Sequence, residues 1–120
     1  MDAKEIIAKR IAKELKPGYL VNLGIGIPTL VANYIPDDGD IFLQSENGIV
    51  GLGGLAANEE ICVHLTNPSG QFAKVKQHAA FFDSALSFIM IRGGHLDITV
   101  LGALEVDEEG SLASWIIPGK

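Results

Sequence analysis

At 120 residues the chain is sized for one domain, and its 48% hydrophobic and 20% charged content is that of a globular protein rather than a disordered one. A net charge of −6 argues against nucleic acid as the main partner, and no apolar run reaches the roughly 18 residues of a membrane span. The single cysteine, Cys62, cannot form an intrachain disulfide and is read as structural; with no signal-peptide pattern at the N-terminus, a cytoplasmic location is expected.

Asp2 is placed to cap a helix from Ala3 to about Lys16, with Ile7, Ala8, Ile11, Ala12 and Leu15 on one face and Pro17-Gly18 as its stop. Tyr19 to Leu23 reads as a strand. It runs into the tight turn Gly24-Ile25-Gly26-Ile27 and a short helix opened by Pro28 and closed by Pro36. After the turn signal Asp37-Asp38-Gly39-Asp40, Ile41 to Ser45 reads as a second strand. A strand–helix–strand unit of this kind is nearly always right-handed with parallel strands, so both strands end on one edge. The Gly24/Gly26 turn and Glu46 are therefore expected to face one another across a crevice.

Ligands bind at such strand ends, and glycines there let the backbone approach a ligand and point N–H groups at it. The glycines at 48, 51, 53 and 54 are read as a loop following Glu46. By spacing alone, Glu46 is either a functional carboxylate or a solvated residue at a strand end. The Gly24-x-Gly26 pair carries only part of a dinucleotide fingerprint, because Thr29 stands where a third glycine belongs. It equally fits a sharp structural turn or an anion site at a helix N-terminus.

Ala56 to Ala80 carries little signal beyond the turn Asn67-Pro68-Ser69-Gly70. His64, His78 and His95 lack the close pairing of zinc sites, so no metal is expected. Asp83 is placed to cap a helix from Ser84 to about Arg92 that is apolar nearly all round, and hence expected to be buried on most sides. Gly93-Gly94 stops it. Leu96 to Leu104 then reads as an apolar strand, and Leu104-Glu105-Val106 with Ser111 to Ile117 as a hairpin at the sheet edge. The fold class is α/β, a mainly parallel sheet with flanking helices and an edge hairpin.

Five blocks, Val21-Asn-Leu-Gly-Ile-Gly-Ile-Pro28, Gln44-Ser-Glu-Asn-Gly48, Phe82-Asp-Ser-Ala85, Arg92-Gly-Gly-His95 and Val100-Leu-Gly-Ala103, resemble in order and spacing the beta chain of the acetoacetate-type 3-oxoacid CoA-transferases. The resemblance implies a CoA-transferase (isomerase-like) fold, with residues 1–120 as part of the catalytic domain of that beta subunit. It implies ping-pong transfer of CoA between an acyl-CoA and a short-chain carboxylic or 3-oxo acid, with Glu46 as the nucleophile that becomes a glutamyl-CoA thioester. Gly24 and Gly26 would shape the pocket, and Asn47 and Gly48 would position Glu46. Coenzyme A would be a substrate, with no resident cofactor. The implied partners are an alpha subunit in a hetero-oligomer and the two substrates, with neither nucleic acid nor membrane. Ala57 to Ala80 departs from the family pattern, and the family continues past Lys120, so the resemblance implies a truncated chain. A catalytically silent assembly module and a sugar-phosphate isomerase-like phosphate-binding domain are the alternatives.

Overall fold

The computed structural model describes residues 2–119; Met1 and Lys120, the two ends of the expected 1–120 domain, lie outside them. Helix α1 spans Ala3–Ala12, shorter than expected. Ala8 is fully buried and Ile11 and Ala12 pack against the core, whereas Ile6 and Ile7 stay exposed. Asp2 stands at the N-cap position without a side-chain bond to the helix. Leu15, beyond the helix, still reaches the core, and the Lys9 ammonium lies 5.1 Å from the centre of the Tyr34 ring, holding α1 to the next element.

Strand β1 (Leu20–Leu23) leads through Gly24–Gly26 into a 3₁₀ helix, Ile27–Tyr34. Pro28 opens this helix, and the β-branched Ile27, Thr29 and Val31 disfavour a regular α-helix. Strand β2 (Phe42–Ser45) follows and pairs in parallel with β1, Val21 against Leu43 and Asn22 against Gln44. The chain then reverses within three residues into β3 (Ile49–Leu55), antiparallel to β2, and β4 (Ala73–Phe81) pairs antiparallel with β3. Helix α2 (Ser84–Arg92) returns the chain to β5 (Ile98–Val100), which lies parallel to β1 on its other side. The sheet order is β4-β3-β2-β1-β5, a parallel centre of β2, β1 and β5 extended by two antiparallel strands. The expected hairpin, β6 (Glu105–Val106) and β7 (Leu112–Ala113), forms, but as a two-stranded sheet of its own rather than at the edge of the main sheet.

Strand alternation sorts the sheet into two faces. Val21, Leu23 and Leu43 join Ala8, Val31, Ala32 and Ile35 in the apolar core beneath α1 and the 3₁₀ helix. Asn22 and Gln44 point the other way, towards α2.

Three expectations are corrected. The glycines after Gly48 belong to strand β3 rather than to a loop, and β4 packs closely on them: a Cβ on Gly51 would lie 3.1 Å from Ala79 and one on Gly53 3.2 Å from Lys74. The register shifts in this stretch, and His78 takes up the irregularity with a φ of 66°. Helix α2 is not buried on most sides. It meets the sheet through one face on which Ser87 alone is buried, with Met90 and Ile91 half-buried beside it, and Ile89 is 61% exposed. Cys62 is exposed and takes no part in the core. No helix among the described residues is long and apolar enough to cross a membrane.

Candidate functional site

The parallel register sets the geometry. Asn22 lies opposite Gln44 and Leu23 opposite Val100, so β1, β2 and β5 all finish on the same edge of the sheet. The two glycine-marked turns leave from that edge. On the β1 side, Gly24 is buried and gives its N–H to the Val100 carbonyl at 2.9 Å; a Cβ there would sit 3.1 Å from that oxygen. Gly26 is exposed, with a φ of 87° that a larger residue adopts only under strain. Its N–H is held by the Ser69 hydroxyl at 3.2 Å, and its carbonyl accepts from both the N–H and the hydroxyl of Thr29.

On the β2 side, Glu46, Asn47 and Gly48 form the turn into β3, closed by the Gly48 N–H to the Ser45 carbonyl at 3.0 Å. Gly48 has a φ of 107° and is buried beneath Phe82, whose N–H donates to the Gly48 carbonyl at 2.9 Å. The Asn47 side chain accepts from the Ser45 hydroxyl at 2.6 Å and donates to the Thr66 carbonyl at 2.9 Å. Glu46 itself is half-buried, and its carboxylate makes no hydrogen bond or ion pair with the other described residues. Its neighbours are all spoken for, and the carboxylate is left available.

The N–H groups of three of the glycines expected to face a ligand are thus already used within the chain: Gly24 on Val100, Gly26 on Ser69 and Gly48 on Ser45. The glycines shape the edge by giving space and turning the backbone. Beside Gly26 opens a cleft of about 440 Å3 whose walls include Lys4, Thr29, Leu30, Ser69 and Gln71 but not Glu46.

Two groups of residues were not legible as part of this edge. One is the loop from Thr66 to Phe72, pinned by a bridge between those two residues and organised by Asn67. The nearly buried Asn67 carboxamide accepts from the N–H groups of Ser69 and Gln71 and donates to the Gln71 side chain. This loop reaches both turns, Gly26 through Ser69 and Asn47 through Thr66. The other is a chain of fully buried polar side chains under the β2 end: Asn22 Nδ2 to Gln44 Oε1 at 2.6 Å, Gln44 Nε2 to Ser87 Oγ at 2.5 Å, and Ser87 Oγ to the Ser45 carbonyl at 3.1 Å. An amide at matching positions of two apolar strands, and a serine amid the apolar residues of α2, were the signals available. No group of three or more His, Cys, Asp or Glu among the described residues could hold a metal ion.

Comparison with known proteins gives the arrangement a context. A family model described as coenzyme A transferase matches residues 4–120. The beta subunit of the acetate CoA-transferase of Escherichia coli K12 is 56% identical over 120 residues, covering all of this chain and 54% of that protein. One subunit of the succinyl-CoA:3-ketoacid coenzyme A transferase of Helicobacter pylori 26695 is 50% identical over 117 residues, or 98% of this chain and 56% of the relative. The chain therefore spans about half the length of these relatives. Among solved structures, the apoenzyme of acyl-CoA transferase YdiF from Escherichia coli O157:H7 superposes with a TM-score of 0.65 at 26% identity, over 99% of this chain and 20% of that one.

Proposed function

The chain belongs to the coenzyme A transferase family, and on that footing we propose that it forms part of the catalytic domain of a transferase beta subunit, with Glu46 as the nucleophile. The observation that carries the reading is the half-buried, unpartnered Glu46 carboxylate on a rigid turn at the edge where the parallel strands end.

A carboxylate oxygen of Glu46 attacks the thioester carbonyl of an acyl-CoA, and the oxyanion so formed expels CoA thiolate to leave an acyl-glutamyl anhydride. The thiolate then attacks the glutamyl carbonyl and releases the first carboxylate, leaving CoA on Glu46. An acceptor carboxylate reverses both steps. No proton or electron is gained or lost, so coenzyme A enters as a substrate and the steps call for no resident cofactor. What this chain supplies is position. Asn47 and Gly48 hold the turn from both sides, and Gly24 and Gly26 keep side chains off the adjacent edge. Because the N–H groups of these glycines are internally bonded, the donors for the oxyanion come from Glu46–Asn47 backbone or from outside this stretch. Short-chain carboxylic or 3-oxo acids as acceptors, an alpha subunit as partner and a cytoplasmic setting complete the proposal.

The experiment is covalent trapping. The full-length protein with its partner subunit, given an acyl-CoA and no acceptor and then reduced with borohydride, is expected to lose activity and to carry its modification on the peptide from Phe42 to Gly54. Glu46→Gln keeps the shape and removes the nucleophile, so label and turnover should both vanish. Modification at Glu59, Glu60 or Asp83 instead, or near-normal turnover of Glu46→Gln, refutes the assignment. A silent assembly module gives no adduct at all.

A further inference from the structure

We infer that Gln44 and Ser87 are positioning residues that hold the Glu46 nucleophile in register through the Ser45 carbonyl, an inference that rests on the proposed role of Glu46. Three side chains, Asn22 on β1, Gln44 on β2 and Ser87 on α2, form one directed line of hydrogen bonds, with no buried side-chain donor or acceptor among the described residues left unsatisfied.

With the amides placed as they are, each group offers what its neighbour needs. Asn22 donates to the Gln44 carbonyl oxygen, which leaves the Gln44 amide nitrogen as the group facing Ser87. The Ser87 hydroxyl accepts that bond and has a single proton left, which goes to the Ser45 carbonyl. The Gly48 N–H meets the same oxygen from the other side of the turn. The peptide between Ser45 and Glu46 is planar, so fixing its oxygen at two points fixes the plane and the direction in which Glu46 leaves the strand. Simple strand pairing would not need this. The β1–β2 ladder is already made by backbone bonds, and an apolar pair at positions 22 and 44 would bury without any polar partner to satisfy.

Position matters to the proposed reaction because a misplacement of about 1 Å can cost on the order of a hundredfold in rate. Ser87→Ala removes the donor to Ser45. Gln44→Glu keeps the shape but turns the last link round: its carboxylate takes the Ser87 proton, which then leaves the Ser45 carbonyl. Ser87→Thr keeps the hydroxyl and serves as the conservative control.

The test uses the full-length protein with its partner subunit, an acyl-CoA, and rapid quenching followed by mass spectrometry of the CoA adduct on Glu46. In Ser87→Ala and Gln44→Glu the adduct should form about ten to a hundred times more slowly yet reach the wild-type amount, with KM within about twofold and kcat lowered; Ser87→Thr should restore most of the rate. A purely structural role lowers the amount of adduct in proportion to the folded fraction and leaves its rate alone, and that result overturns the inference, as does a wild-type rate in both variants. Wild-type protein that forms no adduct on Glu46 overturns the nucleophile reading itself, which is a separate outcome visible in the control arm.

Discussion

Replacing Gly48 by alanine tests how rigidly the Glu46 turn is built. A Cβ at residue 48 would stand 1.9 Å from the Phe82 carbonyl oxygen and 2.9 Å from its carbon, where ordinary contact begins at 3.4 Å. Neither atom is the end of a flexible side chain. To make room, the Phe82 backbone must withdraw, which breaks its N–H bond to the Gly48 carbonyl and disturbs Asp83, whose side chain caps α2 at the Leu86 N–H. The lost hydrogen bond costs about 1 kcal/mol, the forced displacement about 1–3, and a non-glycine residue at this positive φ about 1–3. The combined loss of about 3–7 kcal/mol is a large share of the roughly 5–15 that holds a domain folded. Gly26→Ala is the matched control: its φ of 87° carries the same kind of strain, but a Cβ there meets nothing within 4 Å, so only the strain of about 1–3 kcal/mol is expected. Denaturant unfolding of both variants in otherwise identical protein measures the difference. Losses within about 1 kcal/mol of each other would refute the argument that contact with Phe82, rather than backbone angle, sets the cost.

Asn67→Ala should cost about 1–2 kcal/mol, since it removes the acceptor shared by the N–H groups of the exposed Ser69 and Gln71, and should open the loop from Thr66 to Phe72 to proteolysis; unchanged digestion would show that the loop stands without it. At the hairpin β6–β7, the Asp107 carboxyl is held below its usual value of 3.8, chiefly by the Ser111 backbone N–H and further by those of Glu109 and Gly110. A lowered folded value means that the stabilisation is present above the unfolded value and lost as pH falls through the folded one. The protection of the Ser111 amide, taken as its exchange rate relative to an unstructured peptide at the same pH, should therefore fall below about pH 3.8 in wild type but not in Asp107→Asn, and protection that stays constant in wild type would count against it.

The elements that were legible in the sequence are those whose signals are local. Pro17-Gly18, Pro28 and Pro36, Asp83 and Gly93 mark ends, and the apolar runs between them became β1, β2, α2 and β5 in the expected order. The alignment of the two strand ends followed from the handedness of the unit and is seen in the register of Asn22 with Gln44. What failed was any inference in which a residue's meaning depends on a distant partner. The glycines of β3 look like a loop until Ala79 and Lys74 are known to press on them. The apolar residues of α2 look like a core helix, although the residue that docks it is Ser87. The contribution of Thr66 to Phe72 was invisible for the same reason, because its bonds to Gly26 and Asn47 span 43 and 19 residues.

The hairpin that carries Glu46 also dictates where such a chain can change length. Because Ser45 pairs with Ile49 and Gln44 with Val50, one residue added or lost in the turn would rotate β3 by a full face. Leu52 would then leave the apolar core, and bulkier side chains would be driven into the buried places kept by Gly51 and Gly53. Insertions and deletions are therefore shut out next to the carboxylate by the sheet, whatever the chemistry requires. The stretch from Asn67 to Gln71 lies outside the five-stranded sheet, so a change of length there would break the Asn67 bonds and the Ser69 contact with Gly26 but would leave the facing of every strand in that sheet unchanged.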